Sequence, residues 1–391
     1  MAFLLVEERK RFMEIFVKMM ELTNSISLNV ILDIIFLIIG IFGLIKGADW
    51  FVSSSSSFAK KLKIPAIIIG LTVVSFGTSA PELAVSITGA FSAKASGLTA
   101  DIAMGNVVGS NIMNLLVVLG ITAVIAAVPV KKSIVKNEFP FLIMVTAVLI
   151  FFSMDTYWSG LSNNYIVRGE ALTLLLFLVL FIIMQIRGAR THIENQNMLD
   201  SKKTKKELSK EAIAEASDIK EMSTKASIIF FFIGLFCIVV GGEFVVNSAT
   251  YISKEAAFAA GMTTPEQKSL VTTLVGLTVV AVGTSLPELF TSVIAAKRGE
   301  TEIAIGNVVG SNVFNTVFIV GASGSITSLG INSAVIFDMF VMMLATLIVF
   351  FFIRKDGKIG RKEGIILLSV YALYLTFIII RIFVPALNFF N

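Results

Sequence analysis

Two copies of one phrase decide how this chain is read: GLTVVSFGTSAPELAVS, from Gly70 to Ser86, and GLTVVAVGTSLPELFTS, from Gly276 to Ser292. A second phrase follows each copy, GNVVGSNIMN from Gly105 to Asn114 and GNVVGSNVFN from Gly306 to Asn315. The offset is 206 residues for the first pair and 201 for the second, because the first copy carries five extra residues in the FSAKASGLTA stretch. Upstream, Gly47-Ala48-Asp49-Trp50-Phe51 echoes Gly241-Gly242-Glu243-Phe244-Val245. Two motifs repeated in the same order describe one structural unit used twice.

The surroundings of the motifs define the solvent. Of 391 residues, 56% are hydrophobic and 15% charged, too apolar for a soluble domain of this length. A membrane-spanning helix needs about 20 mostly apolar residues. Ten such stretches fall at 30–50, 64–92, 101–128, 138–154, 166–187, 226–252, 269–297, 302–328, 332–353 and 363–384. Residues 188–225, with eight basic and seven acidic side chains and hardly an aliphatic run, form a polar linker between the fifth and the sixth. The chain thus divides into 1–29, a first five-helix repeat at 30–187, the linker at 188–225 and a second five-helix repeat at 226–391. Five is odd, so the halves enter the membrane from opposite sides. The expected fold is an all-α integral membrane protein of ten transmembrane helices in two inverted five-helix repeats, a pattern of secondary transporters.

In the first segment Glu7, Arg11, Glu14, Lys18 and Glu21 share one helical face, with Phe12, Ile15, Phe16 and Met19 on another. It is expected to be an interfacial amphipathic helix. Charges from Glu7 onward cut its opening apolar run too short for a cleaved signal. Alternating the loops puts 22 basic residues on one side of the membrane and 9 on the other. By the positive-inside rule the 188–225 linker is cytoplasmic, both termini are outside, and the expected location is the cell membrane. The net charge of +5 therefore serves topology, and no nucleic-acid partner is expected. Cys237 is the only cysteine, so no internal disulfide supports the fold. No protein partner is implied beyond the lipid bilayer.

Glu82 and Glu288 fall near the middle of their apolar stretches. A carboxylate there costs at least about 2.5 kcal/mol and marks an ion or proton path, the alternative being a protonated glutamate bonded across helices. Each follows a proline, Pro81 or Pro287, whose missing N–H and ring clash release carbonyls about one turn earlier. The candidate carbonyls belong to Thr78, Ser79, Thr284 and Ser285, whose hydroxyls add further oxygens, with Ser75 and Ala281 one turn back. A plain proline kink satisfied by Ser/Thr back-bonding is the alternative. Ser110 with Asn114, and Ser311 with Asn315, stand four residues apart on one helix face and complete an oxygen set. Gly105-x-x-x-Gly109 and Gly306-x-x-x-Gly310 are also small-residue packing motifs, with Asn111 and Asn312 as candidate interhelical bonds. Two carboxylates with hydroxyl, amide and carbonyl oxygens suit a hard cation, and Ca²⁺ takes six to eight such oxygens. Soft metals prefer His or Cys, and the sole histidine, His192, lies in the linker. An enzyme is not expected: no histidine lies in an apolar stretch, no G-x-S-x-G surrounds the candidate serines, and HExxH and P-loop motifs are missing.

At these residues the chain resembles the Na⁺/Ca²⁺ exchangers of the cation/Ca²⁺ exchanger superfamily, whose two repeats carry a GTS-x-PE motif and then GS-N-x-x-N or GS-N-x-x-D. The resemblance implies one Ca²⁺ site flanked by Na⁺ sites, with Thr78, Ser79, Glu82, Ser110 and Asn114 facing Thr284, Ser285, Glu288, Ser311 and Asn315. It also implies electrogenic exchange of several Na⁺ per Ca²⁺, the first and sixth helices sliding as gates. No cofactor is expected beyond the transported Ca²⁺ and Na⁺. Animal members insert Ca²⁺-sensing sandwich domains between the halves, about 100 residues each. The 38 residues of this linker cannot hold one, which puts the chain nearer the compact prokaryotic members. Relatives that co-transport K⁺ carry aspartate where this chain has Asn315, which implies K⁺-independent exchange. The alternative is a Ca²⁺/H⁺ exchanger of the same superfamily, although those typically carry Asn-Ala or Asn-Thr before the glutamate, where this chain has Thr-Ser twice.

Overall fold

The computed structural model describes residues 28–158, 164–200 and 222–262, and beyond them the chain to 383 except 263, 266, 269–270 and 272–280. The amphipathic segment expected at 1–29, apart from its last two residues, and linker residues 201–221 lie outside the described residues. The helices are α1 (Leu28–Lys61), α2 (Ala66–Thr78), α3 (Ala80–Ala95), α4 (Ala103–Ile125), α5 (Ile134–Phe152), α6 (Arg168–Asp200), α7 (Thr224–Ala259), α8 (Leu286–Lys297), α9 (Thr301–Ile326), α10 (Ser333–Asp356) and α11 (Arg361–Phe383). Among the described residues eight helices are long and apolar enough to cross a membrane. The pair α2–α3, bent by 47° at its junction, makes a ninth. Of the stretch expected at 269–297, residues 272–280 lie outside the described residues.

Burial separates core from lipid-facing helices. In α4 and α9, 78% and 94% of the most apolar window is buried, against 17% in α1 and in α11. Phe42, Leu176, Phe236 and Leu373 on the outer helices expose large apolar side chains, which in a bilayer is the solvated state.

Glycines set the closest approaches. A Cβ on Gly47 would lie 2.8 Å from the Gly234 carbonyl, and one on Gly241 would lie 2.8 Å from that of Gly40, so α1 and α7 run backbone against backbone. The same holds at Gly306, where a Cβ would lie 2.8 Å from the Ile67 carbonyl, and at Gly310, 2.6 Å from that of Leu71. Small residues allow this because dispersion and close contact, not hydrophobic burial, hold helices together in lipid.

Four short strands cross-link the halves. Val128–Pro129 (β1) pairs antiparallel with Lys358–Ile359 (β4), and Asn164–Ile166 (β2) with Leu329–Ile331 (β3). Each half thus gives its first strand to the other half's second. The capping is matched as well: Glu170 Oε2 accepts from the Val167 N–H and Glu363 Oε2 from the Gly360 N–H, both at 2.9 Å.

The apolar run that ends near 187 does not end its helix. The residues that follow, Arg190, Glu194 and Gln196 among them, tolerate a helix well, no proline intervenes, and α6 continues to Asp200.

Candidate ion-binding site

Each glutamate stands in the first turn of a helix that begins at a break. Between α2 and α3 the chain leaves helical geometry at Ser79 (φ −81°, ψ 8°), with Pro81 and Glu82 next in line. In the second half Ser285 (φ −90°, ψ 7°) separates the turn Ala281–Thr284 from α8, with Pro287 and Glu288 following. Proline fits the first turn, where its missing N–H has no partner to lose, and the positive end of the helix dipole favours a carboxylate there.

The structure brings Ser79, Ser110 and Ser311 onto the two glutamates, one of these contacts crossing between the halves. Glu82 and Glu288 are fully buried, as are Thr78, Ser79, Ser110, Asn114, Ser285, Ser311 and Asn315. Ser79 Oγ, from the first half, donates to Glu288 Oε1 at 3.0 Å, and Ser311 Oγ donates to the same oxygen at 3.4 Å. Ser110 Oγ donates to Glu82 Oε1 at 3.4 Å. Thr284 is half-buried beside the break, and Ala281 opens the turn before it. Ser75 stands apart: its carbonyl accepts the Ser79 N–H at 3.0 Å and the Thr78 hydroxyl at 3.4 Å, and its own hydroxyl turns back to the Thr72 carbonyl at 3.3 Å. The carbonyls of Ser79 and Ser285 also accept N–H groups one turn on, from Leu83 and Leu289. A second lone pair is left for a ligand on the Ser79 and Ser285 carbonyls, whereas the Ser75 carbonyl already accepts twice.

Of the 17 buried side-chain atoms without a hydrogen-bond partner among the described residues, seven belong to the sequence-predicted site: Glu82 Oε2, Glu288 Oε2, Ser285 Oγ, and both amide atoms of Asn114 and of Asn315. Buried polar atoms are normally paired, and leaving one unpaired costs about 1–3 kcal/mol. Six of the seven come as matched positions in the two repeats. No group of three or more His, Cys, Asp or Glu able to hold a metal occurs among the described residues. Two carboxylates with neutral hydroxyl and amide oxygens are chemistry for an alkali or alkaline-earth cation rather than a resident transition metal.

Around the site lies a second set of residues that the sequence reading passed over. Asn106 Nδ2 donates to the Glu82 carbonyl (3.2 Å) and to Ser86 Oγ (3.1 Å), while Asn307 Nδ2 donates to the Glu288 carbonyl (3.3 Å) and to Ser292 Oγ (3.0 Å). Thr78 Oγ1 closes on Asn307 Oδ1 at 3.0 Å. The available signal was the identity of the Gly-Asn pair in both copies. Asn111 bridges the halves, donating to Thr316 Oγ1 at 2.9 Å, whereas Asn312 bonds back to the Val308 carbonyl at 2.8 Å. Asn114 and Asn315 open or fall within π-helical turns, Asn114–Val118 and Phe314–Ile319, and such bulges recur at functional sites.

Broken helices, matched halves and a buried oxygen-lined centre define an all-α membrane transporter. The chain belongs to the sodium/calcium exchanger protein family, whose profile matches residues 32–187 and 226–380. It is 33% identical over 345 residues to the putative antiporter CaxA of Alkalimonas amylolytica, covering 87% of this chain and 96% of that one. It is 31% identical to the sodium/calcium exchanger MaX1 of Methanosarcina acetivorans, covering 88% and 97%. A solved structure of the sodium-calcium exchanger NCX_Mj, soaked with zero Na⁺ and Ca²⁺, superimposes with a TM-score of 0.68 at 27% identity, covering 89% of this chain and 99% of that one. The family is one of cation antiporters, and the chain is a multi-pass membrane protein of its compact prokaryotic type.

Proposed function

We propose that this chain exchanges Na⁺ for Ca²⁺ across the cell membrane by alternating access, electrogenically and without K⁺. Glu82, Glu288, Ser110, Ser311, Asn114, Asn315 and the Thr-Ser pairs Thr78–Ser79 and Thr284–Ser285 are the ion ligands. Ser75 and Ala281 are the further carbonyl ligands, and the Ser75 carbonyl, which already accepts twice, reaches an ion only when the Thr78 hydroxyl turns away. The observation that carries this reading is the group of unpartnered atoms at Glu82, Glu288, Asn114, Asn315 and Ser285. A divalent cation offsets two carboxylates in full. Monovalent ions at the same oxygens, with one more than the charge balance needs, make the exchange electrogenic. Asn315 offers only a dipole where a further monovalent ion in a dry site calls for a carboxylate, which favours K⁺ independence.

The ten-crossing, inverted-repeat arrangement belongs to the same proposal. The exchanged strand pairs β1–β4 and β2–β3 and the matched breaks at Ser79 and Ser285 support it. The linker is cytoplasmic and both termini are outside, on the strength of the basic-residue count. The glycines of the seam bring the α1 and α7 backbones together, and aromatic pairs such as Phe36–Phe244 and Phe51–Phe231 interlock across it, which suits two helices that move as one gate.

The test is ⁴⁵Ca²⁺ uptake into proteoliposomes with outward Na⁺, H⁺ or K⁺ gradients imposed separately. Uptake driven by Na⁺ alone, unchanged when choline replaces K⁺ on both faces, is the expected result. Uptake driven by H⁺ and indifferent to Na⁺ would make the chain a Ca²⁺/H⁺ exchanger instead.

A further inference from the structure

Aligned by their opening serines, Ser133 and Ser333, the first turns of α5 and α10 place Glu138 opposite Asp338 in the repeat. Both acids are largely buried, and the two halves treat them differently. Asp338 has its own cation: Arg381 Nη1 lies 3.5 Å from Asp338 Oδ1, an ion pair without a closed hydrogen bond at that oxygen, and its guanidinium carbon is 5.9 Å from each of the paired Phe337 and Phe377 rings. Glu138 is 9% exposed and has no ion pair among the described residues. The Gln185 carboxamide lies next to it, yet neither Glu138 Oε2 nor Gln185 Nε2 closes a hydrogen bond within the described residues.

Both side chains line a cavity of about 810 Å³ at the start of α2 and α5 and the polar end of α6. One wall is apolar, with Ile68, Phe141, Met144 and Met184. Arg187 and His192 also line it, and Lys131, already paired with Glu302 at 2.6 Å, completes the basic side. The cavity therefore offers a buried carboxylate, a guanidinium and an imidazole on the polar end of α6, and an apolar wall on spanning helices. It lies at the ends of spanning helices α2 and α5, beside the stretch of α6 where the apolar run gives way to polar residues.

We propose that this cavity binds an aminophospholipid. The primary ammonium bonds Glu138 and the Gln185 amide oxygen, the phosphate meets Arg187 and His192, and the acyl chains run along Phe141, Met144 and Met184. The lipid supplies to Glu138 the cation that Arg381 supplies to Asp338. A primary ammonium carries three donors, whereas a choline headgroup carries none. An anionic lipid would satisfy the basic residues and leave Glu138 without a partner. The volume is within the usual range for small-ligand pockets, about 300–1,000 Å³.

The experiment is lipid retention by the full chain, purified in detergent after reconstitution in equal mixtures of phosphatidylethanolamine, phosphatidylcholine and phosphatidylglycerol, and read by native mass spectrometry. Phosphatidylethanolamine is expected to be retained about tenfold over phosphatidylcholine, as for loss of one charge-assisted hydrogen bond. Two variants approach the site from opposite directions: Glu138→Gln removes the anion, and Gln185→Arg gives it an internal guanidinium like that of Asp338. Either should bring the retention ratio near one. The proposal is overturned if choline lipid is held equally well, if phosphatidylglycerol is preferred, or if a preference for phosphatidylethanolamine survives in both variants.

Discussion

The two halves carry the same motifs but do not hold their glutamates in the same way. Glu288 Oε1 accepts two hydroxyls, one from each half, through Ser79 and Ser311, while Glu82 Oε1 accepts Ser110. The ends of the site differ more. Asp49 of α1 pairs with Arg298 at 2.6 Å, and Ser56 Oγ donates to Glu300 Oε1, so α1 is tied to the loop between α8 and α9. In the other half Glu243 matches Asp49 and bonds Asn247 at 3.4 Å, while Ser92 stands where the repeat would place Arg298. On the proposed alternating-access reading both access states bind the same ion, which accounts for an oxygen set kept in duplicate at the centre. The ties at its ends differ between the halves, and the Arg298 variant tests whether they set a bias between the two faces.

The largest effects are expected where the halves agree. Glu82→Gln and Glu288→Gln should each abolish Ca²⁺ uptake while the protein still inserts, since one lost carboxylate leaves a divalent ion under-neutralised in a low-dielectric site. Wild-type uptake by either purified variant would sink the shared-site reading. Next come the residues that fix the carboxylate-bearing turns. Asn106→Ala removes two part-buried hydrogen bonds and Asn307→Ala three buried ones, and apparent Ca²⁺ affinity should fall about 5- to 150-fold, following a cost of about 1–3 kcal/mol. Flux measured against Ca²⁺ concentration should show the loss mainly in half-saturation. A fall in maximal rate alone would mean that these asparagines act on the gate and not the site.

A smaller effect is expected where the halves differ. Arg298→Ser copies the first half's Ser92 and removes a partly exposed ion pair, worth about 0.2–1 kcal/mol. In oriented vesicles the ratio of Ca²⁺ half-saturation on the two faces should move by no more than about fivefold, by the usual conversion of free energy to affinity. An unchanged ratio would remove the ion pair from any role in state bias. The least effect is expected in the linker: replacing 202–220 with a flexible Gly/Ser segment of equal length keeps its reach and should leave exchange rates unaltered.

Much of this site was legible because duplication marks it. The repeated Thr-Ser-x-Pro-Glu phrase locates both carboxylates and both helix breaks, since proline acts locally and the same way in each copy. The carbonyl of Ser75 was not legible: whether the Ser79 N–H still reaches it depends on how sharply the chain bends, which no single residue type dictates. The π-helical turns at Gly70–Val74 and Asn114–Val118 carry no compositional signature, because one extra residue in a turn is fixed by packing. Asn106 and Asn307 were hidden in plain view, their spacing to the glutamates crossing a loop that differs in length between the copies. The strand pairs joining the halves are two or three residues long and fall below any alternation pattern.

On the proposed mechanism Glu82 and Glu288 form one site used in turn by Ca²⁺ and Na⁺. Equilibrium ⁴⁵Ca²⁺ binding to the purified chain, titrated with NaCl against a choline control, tests it most directly. Ca²⁺ should be displaced by Na⁺ but not by choline, and Glu82→Gln and Glu288→Gln should each lose the displaceable Ca²⁺. Ca²⁺ that stays bound in both variants, or that Na⁺ fails to displace from the unmodified chain, would contradict it.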